Sequence, residues 1–351
     1  MDVPAARRTR TLLLGMAAAT AAAVLPWLPA AADAPHIDPA ALPRGDSPVV
    51  VRLVGDTVRD GDLRVPATTR GDHDALWVVS GGYLLRDVNV GPRHLTRVVH
   101  LSRTGEWRLV ARSPGLLSVA VSGSGRRVAV QRPLGSSGLR TIITVSAAWT
   151  GRVVGHRELR LANLVAVTDH RVLVGLRARW HHPATVWWNY ERGTLHRVYH
   201  QAAIGADVRH DRVVFDRTPV GEFCNRVAPL SRPARTLWHS CRTYPHQWSP
   251  DGRHAIATHT YFDAAGTDRW WVIKGGTAER QATITGRLDH DAVWEDDGHF
   301  LTLAQSDAGK AAILRCDLTG SCERASRLWD VPVPSDPSVF YAAPPVVLAS
   351  R

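Results

Sequence analysis

Trp248-Ser249-Pro250-Asp251-Gly252-Arg253-His254-Ala255-Ile256-Ala257 joins a polar turn to an apolar run, and looser versions of it recur along the chain. Each turn residue has a local physical role. Pro250 presets φ, Asp251 can bond the backbone that follows, and Gly252 accepts a positive φ. Trp248, Pro250, Asp251 and Gly252 are therefore read as a structural turn that carries no chemistry. Working outward, a small turn followed by an apolar strand returns as Ser80-Gly81-Gly82-Tyr83-Leu84, Ser124-Gly125-Arg126-Arg127-Val128, Asp169-His170-Arg171-Val172, Arg209-His210-Asp211-Arg212-Val213 and Asp296-Asp297-Gly298-His299-Phe300. With Ala255 in its place in the series, the last-named residues are 44, 44, 41, 42 and 45 positions apart.

Each period has room for four short strands. In the second, Leu117 to Ser122, Arg127 to Gln131, Leu139 to Ser146 and Gly151 to Leu159 are apolar or alternating runs separated by turn residues. Four strands repeated at this interval, without amphipathic helices, are the blade of a β-propeller. The expected fold is all-β, with six four-stranded blades over residues 71–330. Residues 35–70 contain Val49-Val50-Val51-Arg52-Leu53, one or two strands whose natural use is to close the ring. The Pro-rich tail, 331–351, contains Val346-Val347-Leu348, which opens the alternative of a composite seventh blade. Trp77, Trp149, Trp187, Trp188, Trp238, Trp248, Trp270, Trp271, Trp294 and Trp329 are assigned to inter-blade stacking.

The Trp-Ser-Pro-Asp-Gly-Arg segment resembles the repeat of TolB-like propellers, relatives of the WD40-like propeller domains that accompany prolyl-oligopeptidase enzymes. Trp294-Glu295-Asp296-Asp297-Gly298-His299 keeps the Trp and the Asp-Gly turn without the Pro, and Val121-Ser122-Gly123-Ser124-Gly125-Arg126 keeps less. The resemblance covers about three quarters of the chain. It implies a six-bladed ring and protein partners met at the channel face.

The first 34 residues carry Arg7, Arg8 and Arg10, then an apolar run from Leu12 to Leu28 broken by Pro26, then Ala30-Ala31-Ala32-Asp33-Ala34. This is the plan of a secretory signal peptide, with an uncleaved membrane anchor as the alternative. The residues between Arg8 and Leu12 weaken a twin-arginine reading, so general secretion is the default. Cys224, Cys241, Cys316 and Cys322 suit an oxidising compartment. Cys316 and Cys322 enclose a Gly-containing turn and Cys224 and Cys241 a longer connection, which argues for sequential disulfides. No C-x-x-C pair supports zinc.

The net charge of +11 falls to about +10 without residues 1–34, and 41 of the 43 basic residues are arginines. They are scattered, which argues against nucleic acid. Anionic cell-wall polymer or lipid head groups remain compatible partners.

A second echo concerns chemistry. Asp72-His73-Asp74-Ala75-Leu76-Trp77 matches Asp289-His290-Asp291-Ala292-Val293-Trp294. Both triplets are expected just before an innermost strand, and in a six-membered ring units one and six are neighbours. Asp72, His73, Asp74, Asp289, His290 and Asp291 are thus candidates for a divalent-metal or polar-ligand site at the channel mouth. The competing account has these side chains bonding the connecting loops. His181-His182, the acids from Asp263 to Asp268, and Ser122, Ser136 and Ser137 complete no catalytic or metal motif. The expectation is a monomeric exported binding module with protein partners at the cell envelope or outside the cell. The alternative is a propeller enzyme, a metal-assisted hydrolase or lyase working at the channel mouth.

Overall fold

The computed structural model describes residues 36–67, 71–90, 95–135, 139–177, 182–216, 223–260, 267–333 and 346–350. The expected signal peptide, Ser136, Ser137, His181 and Asp263 lie outside the described residues. Residues Ala34–Arg351 form one compact unit.

Every regular element described is a β-strand. Unit one consists of Asp72–Val79, Gly82–Val90, Leu95–Ser102 and Trp107–Ser113, each antiparallel to the next. Unit two follows with Ser118–Val121, Arg127–Leu134, Arg140–Ala147 and Val153–Arg160. Unit three has Ala162–Val167, Arg171–Leu176, Ala184–Asn189 and Thr194–Tyr199, and unit four Ala203–Asp207, Arg212–Asp216, Asn225–Pro229 and Trp238–Ser240. Unit five begins with Thr243–Trp248, His254–His259 and Thr267–Lys274. Its fourth strand is the first half of Arg280–Trp294, whose second half pairs with His299–Gln305 and starts unit six. Lys310–Asp317 and Cys322–Arg324 complete unit six.

A seventh four-stranded array closes the series, so among the described residues the topology is that of the composite alternative and not of the six-bladed count. Val346–Ser350 is its first strand and pairs antiparallel with Arg52–Val54, which continues through Thr57–Asp60 to Leu63–Pro66. Pieces from the two ends of the chain thus make one sheet. Its two faces explain why: Leu53, Val58, Val65 and Ala349 share a core with Leu76, Tyr83, Leu85 and Val99 of unit one. On the other side, Val346 and Leu348 share one with Val293, Leu301, Leu303 and Ile313 of unit six. Without the composite unit both neighbours would expose apolar surface, at roughly 1.5–3 kcal/mol for each large side chain.

An ionic clasp holds the N-terminal side of this closure. Arg315 meets Glu295 at 2.5 Å and Glu323 at 2.7 Å, and Glu295 Oε1 also accepts the Val49 backbone N–H at 2.7 Å. Glu323 stands where a side chain on residue 45 would be, which suits glycine there.

The turn between the first and second strands uses one device in different residues. Ser249 Oγ accepts the His254 N–H, Ser122 Oγ that of Arg127, Thr168 Oγ1 that of Arg171, Asp207 Oδ1 that of His210 and Asp296 Oδ1 that of His299. A side-chain oxygen satisfies the N–H that opens the second strand in four of these, and one in the turn just before it at His210, so the repeat persists where its letters do not. Gly252 has φ 70°, and a Cβ there would strike His210 of unit four.

Trp187, Trp188, Trp238, Trp248, Trp270, Trp271 and Trp294 are buried in the cores. Trp149 is the exception to the stacking expectation: it is 62% exposed at a hairpin tip, with one edge of its ring against Gly81 of unit one. Cys224 bonds Cys241 and Cys316 bonds Cys322, each clamping the third and fourth strands of its unit.

Candidate binding site at the channel mouth

First strands of adjacent units face one another around the channel, and each enters at the end opposite the first-to-second-strand turns. Near that entry end, most of them break register with the second strand. The breaks fall at His73/Ala75, Leu164/Ala166, Ala203/Gly205, Pro245/Gln247 and Leu288/Ala292. Four are single-residue bulges at Asp74, Val165, Ile204 and His246, whereas unit six leaves out Asp289, His290 and Asp291 together. A bulge re-aims side chains out of the regular alternation. The polar bulges belong to units five, six and one, so the mouth has a charged sector.

In unit one the triplet is pulled apart. His73 turns into the blade, its Nδ1 2.7 Å from Asp87 Oδ1, and Asp87 Oδ2 receives Arg97 Nε at 2.8 Å. Asp87 is fully buried and the His73 side chain is 2% exposed. Asp74 instead takes the Arg86 guanidinium with both oxygens, at 2.7 and 3.0 Å, a charge-assisted fork. Arg86 also donates to the Leu117 carbonyl of unit two at 3.0 Å. Asp72, exposed, accepts from Asn89 at 3.3 Å.

In unit six the triplet stays together. His290 Nδ1 is 2.8 Å from Asp289 Oδ1 and its Nε2 is 3.4 Å from Asp291 Oδ2, while 40% of the side chain is exposed. Hydrogen bonding to Asp289 pushes the imidazole pKa up to about 9 against the opposing effect of burial, and the charges of Asp289, Asp291 and Asp74 add to it. At neutral pH it is an imidazolium. Burial alone would raise the Asp291 pKa, but the imidazoles of His246 and His290 and the Arg86 guanidinium outweigh it and hold the carboxyl below the usual range. His246 Nε2 lies 3.7 Å from Asp291 Oδ1, an electrostatic and not a hydrogen-bonding separation.

Units one and six are not adjacent blades, because the composite unit stands between them. Asp74 nevertheless acts on His290, and Arg86 on Asp291, across the mouth. The structure therefore brings Asp74, Asp289, His290 and Asp291 within electrostatic reach, leaves Asp72 at the rim and removes His73 to the blade interior. Among the described residues no group of three or more His, Cys, Asp or Glu side chains is arranged to hold a metal ion.

Arg86 and His246 belong to the same network, and the sequence motifs do not point to them. Arg86 is legible by counting outward from the Ser80-Gly81-Gly82 turn, which sets it opposite Ala75 and beside Asp74. His246 has no sequence signal, since only the bulge register aligns it with Asp74.

No protein-family model matches the sequence, and no curated protein matches it. Solved structures do match. The β-propeller domain of the trilobed protease from Pyrococcus furiosus superposes with a TM-score of 0.51 at 9% identity, over 80% of this chain and 97% of that one. The chain is a β-propeller. Acylaminoacyl peptidase from Pyrococcus horikoshii gives 0.54 at 10% identity, over 77% of this chain and 47% of that one, so this propeller spans about half the peptidase's length. TolB from Acinetobacter baumannii gives 0.45 at 11% identity, over 64% and 58%. Identities this low speak for fold alone.

Proposed function

We propose that this propeller is an exported binding module that engages a protein partner at the cell envelope through the charged sector of its channel mouth. The observation that carries the reading is the Asp289–His290–Asp291 group facing the Asp74–Arg86 pair. It presents charges of both signs side by side at the channel mouth, which suits orientation of a polar partner group more than general adhesion. Two disulfides agree with a destination outside the cytoplasm.

The test is affinity capture from a cell-envelope extract of the source organism, comparing the chain with a His290→Gln, Asp74→Asn variant. A specific protein retained by the parent and lost by the variant supports the reading. Equal retention by both moves the partner to another surface, and an empty capture from a correctly folded bait removes the proposal.

A further inference from the structure

The opposite end of the ring carries a surface that the channel mouth does not explain. Trp107 is 51% exposed and Trp149 62%. Trp107 opens the fourth strand of unit one, directly after its third-to-fourth-strand turn, and Trp149 lies in the equivalent turn of unit two. Arg108 ties these neighbouring tips together, its Nη2 donating to the carbonyls of Ala148 and Trp149 at 3.0 Å each. The Trp149 ring also lies against Gly81, in space that any Cβ there would occupy, so one side of the indole is seated on backbone. Leu109 and Val153, 44% and 54% exposed, extend the apolar points along the outer strands.

Charge on this rim is mainly basic. Arg103, Arg126 and Arg152 are exposed in the turns of units one and two, which carry one exposed carboxylate, Glu106; the adjoining tip of the composite unit adds exposed Asp62. Arg103 and Arg126 form ion pairs with Asp60 and Asp169 at 3.4 and 3.3 Å, and their side chains remain 60% and 63% exposed. At the same end of unit six the exposed residues Asp296 and Asp297 reverse the sign.

The geometry points to a docking surface for an anionic lipid bilayer, formed by the hairpin tips of units one and two. Indole places an apolar body and a polar N–H together and favours the head-group layer, while arginines near an anionic surface add attraction that salt screens. The apolar groups stand on separate tips with arginines between them. A protein partner needs a contiguous complementary patch of roughly 1,000 Å² in total, whereas a fluid head-group layer fills the gaps between tips. Asp296 and Asp297 of unit six, repelled, set the tilt.

The test uses residues 34–351, the compact unit, so that the apolar leader contributes nothing. Co-sedimentation with phosphatidylglycerol vesicles is expected to exceed that with phosphatidylcholine by at least about tenfold and to disappear near 0.5 M salt. A Trp107→Ser, Trp149→Ser variant is expected to weaken binding at least about tenfold with an unchanged thermal midpoint. Should that variant misfold, Arg126→Glu with Arg152→Glu carries the test, with the same expected loss. Equal binding to both vesicles, or binding indifferent to both variants, overturns the proposal. So does a chain that ignores vesicles yet self-associates through Trp107 and Trp149.

Discussion

The two Asp-His-Asp triplets share their letters and little else. In unit one the bulge takes a single residue, so His73 keeps its place in the strand and points into the blade, where Asp87 and Arg97 complete a buried charge network. In unit six the irregularity takes three residues, so His290 stays in the strand but loses its partner on the second strand, and it meets both of its flanking aspartates at the mouth. The difference teaches that a short polar motif acquires its role from the register around it. One triplet braces the fold, and the other shapes the electrostatics of an opening.

The largest expected effect separates the two on stability. Asp87→Asn removes a carboxylate that is fully buried between His73 and Arg97, and breaking such a network costs about 3–5 kcal/mol. Asp291→Asn, at a side chain 37% exposed, should cost below about 1 kcal/mol. Urea unfolding of both variants checks this, and similar midpoints would erase the division between brace and mouth.

Next in size is a pH effect confined to unit six. His290 titrates at about 9 in the folded chain, above an ordinary imidazole. Its contribution is therefore complete below about pH 6.5 and is lost as pH rises through 9. The stability difference between the parent and His290→Gln should accordingly shrink from pH 6 to pH 10. A difference that grew over this range would reverse the assignment.

How much of this was legible follows from where the information resides. The turn chemistry around Trp248 and its recurrence reveal the strands and their number per unit, because side-chain oxygens and glycines act locally. The Cys316–Cys322 pair is legible for the same reason. The composite unit depends on Arg52–Val54 meeting Val346–Ser350, two short runs with nearly the whole chain between them, and the apolar faces that demand it appear only once both neighbours are folded. Trp149 reads like any other tryptophan until its hairpin tip is seen. The bulge sizes that part the two triplets are a matter of one residue against three, and neither leaves a mark in composition or spacing.

Smaller still is the effect of each carboxylate on His290. Asp289→Asn should lower its pKa most, since it removes a hydrogen bond as well as a charge, and Asp291→Asn should lower it less. An NMR titration of the imidazole reads both.

The smallest effect is the most specific, because it tests whether the two triplets meet at all. Asp74 belongs to unit one, is held by Arg86, and reaches His290 only through space across the composite blade. Asp74→Asn should shift the His290 titration downward by a fraction of the Asp289→Asn shift, because it deletes a distant negative charge and leaves the Arg86 guanidinium uncompensated. Adding Arg86→Ala should then return part of that shift, since the two partners act on the mouth with opposite signs. A residue that merely perturbed the local fold would not give a shift that its own counter-charge reverses. If Asp74→Asn leaves the titration where it was, the triplets are electrically separate, and the mouth is a property of unit six and His246 alone.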